Sequence, residues 1–385
     1  MRARLAGYAA FYAGYYAALG SSLPFLAAYF DGIGFDAGQI GVLFSFSPLM
    51  LCLTPMAVGY LADRWRPLSL LRLATLAAMI AALALSQARQ FGGAAVAMLA
   101  FAIATAPIVP LADAQALRAS AAEGASFGRV RLFGSLGFVV FAAGMGIWLE
   151  QGGVDTRVPL AVAVGLGIAL ITTAAWRPPS LTRSPLEPRE ALALLRQPRL
   201  RMLLICSALH WSAMGPYHSF FALHVKALAL SPSVVGWSMA AGSLAEVAAM
   251  WAAKHWVQRS TPEAALRLSF VVTAIRWALS AWVDQASALI AVQLLHGFSF
   301  GVFYVVAMSM LMELVPDRLR NTGQGLFVAG VFGVGGGVGV LAGGFIIQLA
   351  STRALFALGS ALTLLAAALM RRRPAQPVPV RSRLL

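Results

Sequence analysis

Arg177-Pro-Pro-Ser-Leu-Thr-Arg183-Ser-Pro185-Leu-Glu187-Pro-Arg189-Glu190-Ala-Leu-Ala-Leu-Leu-Arg196-Gln-Pro198-Arg199-Leu-Arg201 divides a chain that is otherwise almost continuously apolar. Five prolines, six arginines and two glutamates cannot cross hydrocarbon, so this stretch reads as a linker on an aqueous surface, with a short surface helix over residues 189–195. Outward from it lie six apolar runs on each side, each long enough to cross about 30 Å of hydrocarbon. They fall at 5–30, 37–61, 68–87, 92–116, 128–149 and 157–176, then at 201–226, 233–254, 263–283, 286–312, 322–350 and 354–370. The domains expected are a bundle over 1–176, a linker over 177–200, a second bundle over 201–371 and a tail over 372–385.

Composition agrees with this reading. Of the 385 residues 60% are apolar and 11% charged, where a soluble protein has about 25% charged residues. The mean hydropathy is +0.78. Soluble, secreted disulfide-rich, disordered and nucleic-acid-binding classes are thereby excluded. The net charge of +15 reflects where the arginines sit. With both termini placed in the cytoplasm, only Arg89, Arg157, Lys226 and Arg353 fall on the far side and Arg276 lies within a span. The other 24 of the 29 basic residues are cytoplasmic, the distribution expected of a multi-pass protein of a bacterial-type inner membrane. The first run exceeds a signal-peptide core and is followed by a whole membrane domain, so it is expected to stay in place.

Cys52 and Cys206 lie within apolar runs, where a thiol behaves as a small hydrophobe, and His210, His218, His224, His255 and His296 are scattered. Neither a disulfide nor a metal site is expected, and no cofactor. No phosphate-binding G-x-x-x-x-G-K-[ST] is present, and Gly337-Val-Gly339-Val-Leu-Ala342 fits a dinucleotide pattern only inside a membrane run, where its context is wrong. That run carries Gly330, Gly333, Gly335, Gly336, Gly337, Gly339, Gly343 and Gly344, which suits either a gating helix or close helix packing. An enzyme would need a nucleophile with its base, or a metal cluster such as H-E-x-x-H, and neither is found.

Two bundles joined by one linker suggest internal repeats with a substrate site between them. Two motifs carry a family resemblance. Gly59-Tyr-Leu-Ala-Asp63-Arg64-Trp-Arg66 resembles the G-x-x-x-D-R loop of the major facilitator superfamily, which implies a gating role for Gly59, Asp63 and Arg64. Phe127-Gly128-Arg129-Val-Arg131-Leu-Phe133-Gly134-Ser135-Leu-Gly137 resembles the F-G-R-x-R-x-x-G-x-x-G segment of the lactose, phenylpropionate and nucleoside permease group, and Val315–Leu326 looks like the loop after span ten there. The resemblance implies an all-α polytopic membrane protein of twelve transmembrane helices in two six-helix bundles, the major facilitator fold. It implies that Arg131 pairs with Asp113, eighteen positions earlier, and that Glu246, Arg276 and His296 occupy the positions of that group's functional Glu, Arg and His. Ser299 stands where the group carries its chief proton-binding acid, so coupling through that position is impossible here.

Independently, ionised groups in mid-membrane cost at least about 2.5–3.5 kcal/mol and should face one another or a wet cavity. Asp113, Glu246, Arg276 and His296 all lie away from span ends. Glu246 with Arg276 reads either as a static pair or as part of a substrate site. Tyr8, Tyr12 and Tyr15 recur along one face of span one, and His210, Met214, Tyr217 and Phe221 along span seven; Tyr304 lies eight residues beyond His296. The functional expectation is a monomeric secondary transporter working by alternating access, a proton symporter of a small organic solute. Asp113, Glu246 and His296 would carry protons, and Arg131, Arg276, Tyr15, Tyr217 and Tyr304 would hold substrate. An aromatic carboxylate on Arg276 is preferred to a sugar or nucleoside held by Asp113, Arg131 and Glu246. A non-transporting sensor or scaffold that keeps the fold is the alternative.

Overall fold

The computed structural model describes residues 3–64, 66–152, 156–176, 194–259 and 261–370; side chains are described within these except at 3–4, 54–64, 253–259, 318 and 321. Twelve helices cross the molecule among them: α1 Ala3–Gly32, α2 Ala37–Arg64, α3 Pro67–Gln87, α4 Phe91–Ala122, α5 Phe127–Glu150, α6 Arg157–Thr172, α7 Pro198–Ala227, α8 Pro232–Arg259, α9 Pro262–Trp282, α10 Ala286–Leu314, α11 Thr322–Leu349 and α12 Thr352–Leu369. Every expected run became a helix, with ends shifted by a few residues. Most of the linker, including the surface helix expected there, lies outside the described residues.

Local chemistry sets the helix starts. Pro67, Pro198, Pro232 and Pro262 each open a helix, where the missing N–H is no loss. Asp36 and Gln39 bond each other's backbone N–H, at 2.8 and 3.1 Å, in a box that opens α2. Thr261 and Ser351 accept from the N–H groups of Ala264 and Ala354. Apolar side chains pointing away from the bundle remain exposed, among them Val96, Ile171 and Leu349, as a lipid-facing surface requires.

In the first half α1 lies against α5 and α6, and α3 against α4 and α6; in the second, α12 lies against α7 and α9, α8 against α10, and α7 against α11. Glycines permit the closest of these approaches. A Cβ on Gly137 would run into the Ala13 carbonyl, and one on Gly339 into Ser212, so the glycine-rich run of α11 is a packing surface against α7 and α2. Among the described residues the main helix pairs joining the halves are α1 with α7, α2 with α11, and α5 with α8. These contacts are tightest at the face away from the chain termini. There Lys226 Nζ donates to Asp31 Oδ2 at 2.5 Å, Ser231 donates to Glu150, Gly41 meets Gly344, and Phe44 stacks on Phe220.

Two helices are interrupted beside the ionisable groups. α4 breaks at Ala106-Pro107, six residues before Asp113. α10 runs through a 3-10 turn at Gln293–Leu295 and a π-helix at Gly297–Val302, with His296 between them. A second π-helix occupies Val328–Gly335 of α11. Such π segments are rare and concentrate at functional sites.

Candidate functional site

Each half contributes one polar constellation. In the first half, Arg131 NH1 and the Tyr12 hydroxyl both donate to Asp113 Oδ1 at 2.6 Å, and Arg131 NH2 donates to the Tyr16 hydroxyl at 2.6 Å. The guanidinium also lies over the Tyr12 and Tyr16 rings, 5.4 and 5.2 Å from their centroids. Arg131 and Asp113 keep 34% and 36% of their side chains accessible, so this pair faces open space between the halves. Gly134 makes the arrangement possible, since a Cβ there would meet the Tyr16 ring at 2.9 Å.

The tyrosine stripe divides by helical rotation. Tyr12 and Tyr16, four residues apart, turn toward Arg131. Tyr8 stacks on Trp176 at 4.0 Å, and Tyr15, 4% exposed, lies parallel to Phe11. Tyr16 was not singled out from the sequence, although its i, i+4 relation to Tyr12 was a usable signal.

In the second half the centre is Arg276, fully buried. Its Nε and NH2 donate to Gln293 Oε1 at 3.1 and 2.6 Å, and NH1 reaches His296 Nδ1 at 3.1 Å and the Met214 sulfur at 3.8 Å. Its flat face lies 4.2 Å from the Tyr217 centroid and 4.4 Å from that of Trp277. No carboxylate is among these partners. Glu246 does not pair with Arg276, which corrects the static pair weighed from the sequence: Glu246 Oε2 lies 3.5 Å from His296 Nε2, on the other side of the imidazole, and Glu246 is 25% exposed. An arginine nitrogen only donates, so His296 Nδ1 accepts and the ring proton sits on Nε2, toward Glu246. The order is therefore open space, Glu246, His296, Arg276, Gln293.

Packing holds this line in place. Gly242 lies against the His296 ring, Gly297 against the Ala245 carbonyl and Gly301 against the Glu246 carbonyl, so α8 and α10 touch backbone to side chain where the π-helix begins. Ser299 is buried away from the cavity, bonded to Thr273 and Leu295, and its carbonyl meets His210 Nε2 at 2.9 Å. His224 is fixed between Thr352 and the Ser280 carbonyl. Phe221 is a core side chain, and Tyr304 stacks on Phe300 at 5.5 Å with part of its ring accessible. Gly59, Asp63 and Arg64 lie in the last turns of α2, and their side chains are outside those described. Gln293, Met214 and Trp277 escaped the sequence reading as contacts of Arg276; a glutamine inside an apolar run, three residues before a histidine, was the one signal available.

The profile of the MFS_1 like family matches residues 5–358. The chain belongs to that family. It is a major facilitator transporter with the twelve-helix fold, not an enzyme. A probable 3-phenylpropionic acid transporter of Escherichia coli is 28% identical over 307 residues, 76% of this chain and 78% of that one. The maltose permease of Geobacillus stearothermophilus is 25% identical over 338 residues, 86% of this chain and 84% of its own. The crystal structure of the nucleoside transporter NupG superposes with a TM-score of 0.84 at 16% identity, covering 97% of this chain and all of the other. All three are transporters of small organic solutes by name, and the NupG structure shares the fold described above.

Proposed function

We propose that this transporter is a proton-coupled symporter of a small organic anion, an aromatic carboxylate, in the inner membrane of a bacterium, monomeric and with both termini cytoplasmic. The observation that carries the reading is a fully buried guanidinium, Arg276, held by an amide, an imidazole, a thioether and two rings but by no counter-charge. A buried ion without a partner of opposite sign is penalised by several kcal/mol, so the site favours an incoming anion. Glu246, reached through His296, supplies a compensating charge only while ionised. Protonating Glu246 removes that charge and its repulsion of a carboxylate together, so proton and anion enter as a pair. His296 lies between Glu246 and Arg276, and its movement would expose Arg276 with Tyr217. Asp113 and Arg131 form a direct acid–base pair on the opposite wall, with the Tyr16 hydroxyl bonded to Arg131 and Tyr304 nearby. The likeness to a phenylpropionic acid transporter supports the substrate class.

With the termini cytoplasmic, the closed contacts among Asp31, Lys226, Phe44 and Phe220 lie outside, and the accessible pairs face the cytoplasm in this state. Gly59, Asp63 and Arg64 would act when that side closes.

A second reading is a neutral polyhydroxyl solute, a sugar or nucleoside, at Tyr12, Tyr16, Asp113 and Arg131; the partly accessible carboxylate and guanidinium, with the two hydroxyls bonded to them, favour it. Uptake of labelled 3-phenylpropionate, maltose and nucleosides into proteoliposomes under an inward proton gradient separates these. Accumulation of the carboxylate that collapses with the gradient, and that fails in Glu246→Gln while exchange persists, is the expected result. Gradient-independent uptake removes proton coupling, uptake of neutral solutes alone moves the site to Asp113, and no uptake of any solute supports the sensor reading.

A further inference from the structure

Five ring-bearing side chains of the second half are half-buried and form one connected set: Trp211 and His218 of α7, Phe300 and Tyr304 of α10, and Phe332 of α11. The rings that build the core of this half, among them Phe270, Phe303 and Phe327, are fully buried. Trp211 lies 5.7 Å from Phe300 and 4.5 Å from Phe332, Phe300 lies 5.5 Å from Tyr304, and Tyr304 lies 6.4 Å from Phe332. His218 joins them through Trp211 at 6.4 Å, and it meets Tyr217 at 5.1 Å and His296 edge-on at 5.8 Å. Phe300 in turn lies parallel to His296 at 6.2 Å. The set thus borders Tyr217 and His296, two of the rings against Arg276.

This wall faces the first half rather than lipid. Tyr304 stands close enough to Asp113 and Arg131 to feel both charges. An added carbon on Gly336 would lie 3.1 Å from the Trp211 ring and 3.5 Å from Pro48 of α2, so Trp211 also stands where the halves meet. On α11 the lipid-facing side chain is Val334, 52% exposed, and Phe332, two residues earlier, is turned to the opposite side of the helix. Apolar rings kept accessible on a contiguous patch are a standing cost to the fold, and such patches mark ligand-binding grooves. Phe300 and Tyr304 lie within 11° of parallel, while Trp211 is tilted 53° from Phe300 and 59° from Phe332, so the wall offers ring faces and ring edges. A second aromatic ring is the ligand group that gains from both.

We infer that Trp211, His218, Phe300, Tyr304 and Phe332 are the aryl subsite of the transport site, taking the ring of an aromatic carboxylate by stacked and edge-to-face contacts while Arg276 takes its charge. A saturated ring of the same size buries as much apolar area but has no quadrupole to match, so the wall selects for aromaticity and not for hydrophobicity alone. The inference rests on the proposed carboxylate reading of Arg276, but wall and charge can fail separately, and the test keeps them apart.

Calorimetric binding to the intact protein in nanodiscs compares 3-phenylpropionate, 3-cyclohexylpropionate and the neutral amide of each. The unsubstituted protein should bind the phenyl acid about tenfold more tightly than the cyclohexyl acid, about 1.4 kcal/mol, the scale of one or two aromatic contacts. Phe300→Leu and Phe332→Leu, which keep apolar bulk but remove a ring, should each lower that ratio to about threefold or less. A ratio near one in the unsubstituted protein, or a ratio that survives both substitutions, overturns the subsite; acids that bind alike and more tightly than the amides then leave the charge reading standing without it. Amides that bind as tightly as the acids, with the phenyl preference intact, remove the charge and keep the subsite. Binding of none of the four overturns both. If neither variant folds, fluorotryptophan labelling decides: the fluorine resonance missing in Trp211→Phe should shift several-fold more with the phenyl acid than with the cyclohexyl acid, and equal shifts overturn the subsite.

Discussion

Replacing Gln293 separates the two things it does for Arg276. In Gln293→Leu the volume is nearly kept, but Arg276 Nε and NH2 lose the single oxygen they share, at 3.1 and 2.6 Å. Two bonds to a charged donor, each worth about 1.5–3 kcal/mol, give a predicted loss of about 3–6 kcal/mol, most of it the cost of leaving a buried cation less satisfied. In Gln293→Glu the same two donors meet a carboxylate. The stronger charge-assisted bonds are offset by the desolvation of the new anion, so stability should change by less than about 2 kcal/mol. The effect on an anionic substrate is large. A carboxylate about 4 Å from a guanidinium gains about 4 kcal/mol at an effective dielectric near 20. An internal carboxylate that neutralises Arg276 removes up to that amount, about a thousandfold in Kd. Thermal unfolding of both variants and concentration-dependent uptake of an aromatic carboxylate into proteoliposomes measure the two effects. If Gln293→Glu keeps the KM of the unsubstituted protein, or if Gln293→Leu is as stable as that protein, Arg276 is not an anion-seeking charge held by Gln293.

Further outcomes follow from single contacts. Tyr16→Phe, which removes the 2.6 Å bond to Arg131, should lower uptake and raise its KM, whereas Tyr15→Phe should behave as the unsubstituted protein; equal effects would place both tyrosines in the same role. Gly137→Ala should destabilise the α1–α5 contact and lower the melting temperature, while Gly144→Ala, with nothing within 4 Å of the added carbon, should raise stability by up to about 1 kcal/mol in the same assay. The Lys226–Asp31 pair is partly exposed, so Lys226→Met should cost no more than about 1 kcal/mol of closure. That corresponds to a rise of about fivefold or less in maleimide labelling of a cysteine placed at Phe44, and no change would assign the closure to apolar packing alone. A cysteine at Ser184 should label in inverted vesicles and resist an impermeant maleimide in intact cells; labelling from outside would reverse the orientation.

The sequence by itself determined the number of spans, and the resemblance carried by its Phe127–Gly137 segment pointed to the Asp113–Arg131 pair. The span count depends on hydropathy, which is additive along the chain; the structure holds the pair on two helices joined by a short turn at Gly124. Neither hydropathy nor the resemblance reached the partners of Arg276. Its partners come from α7 and α10, and which side chains face it depends on how each helix is rotated about its own axis, where one residue changes direction by roughly 100°. α10 departs from α-helical winding, through a 3-10 turn and then a π-helix, on both sides of His296. A period of 3.6 read along the sequence therefore loses its phase at this point. Only the tertiary structure could place Gln293 and His296 on Arg276, set Glu246 behind the imidazole, and choose Tyr16 over Tyr15. The determining quantity is the relative rotation of packed helices, set by where glycines let them touch.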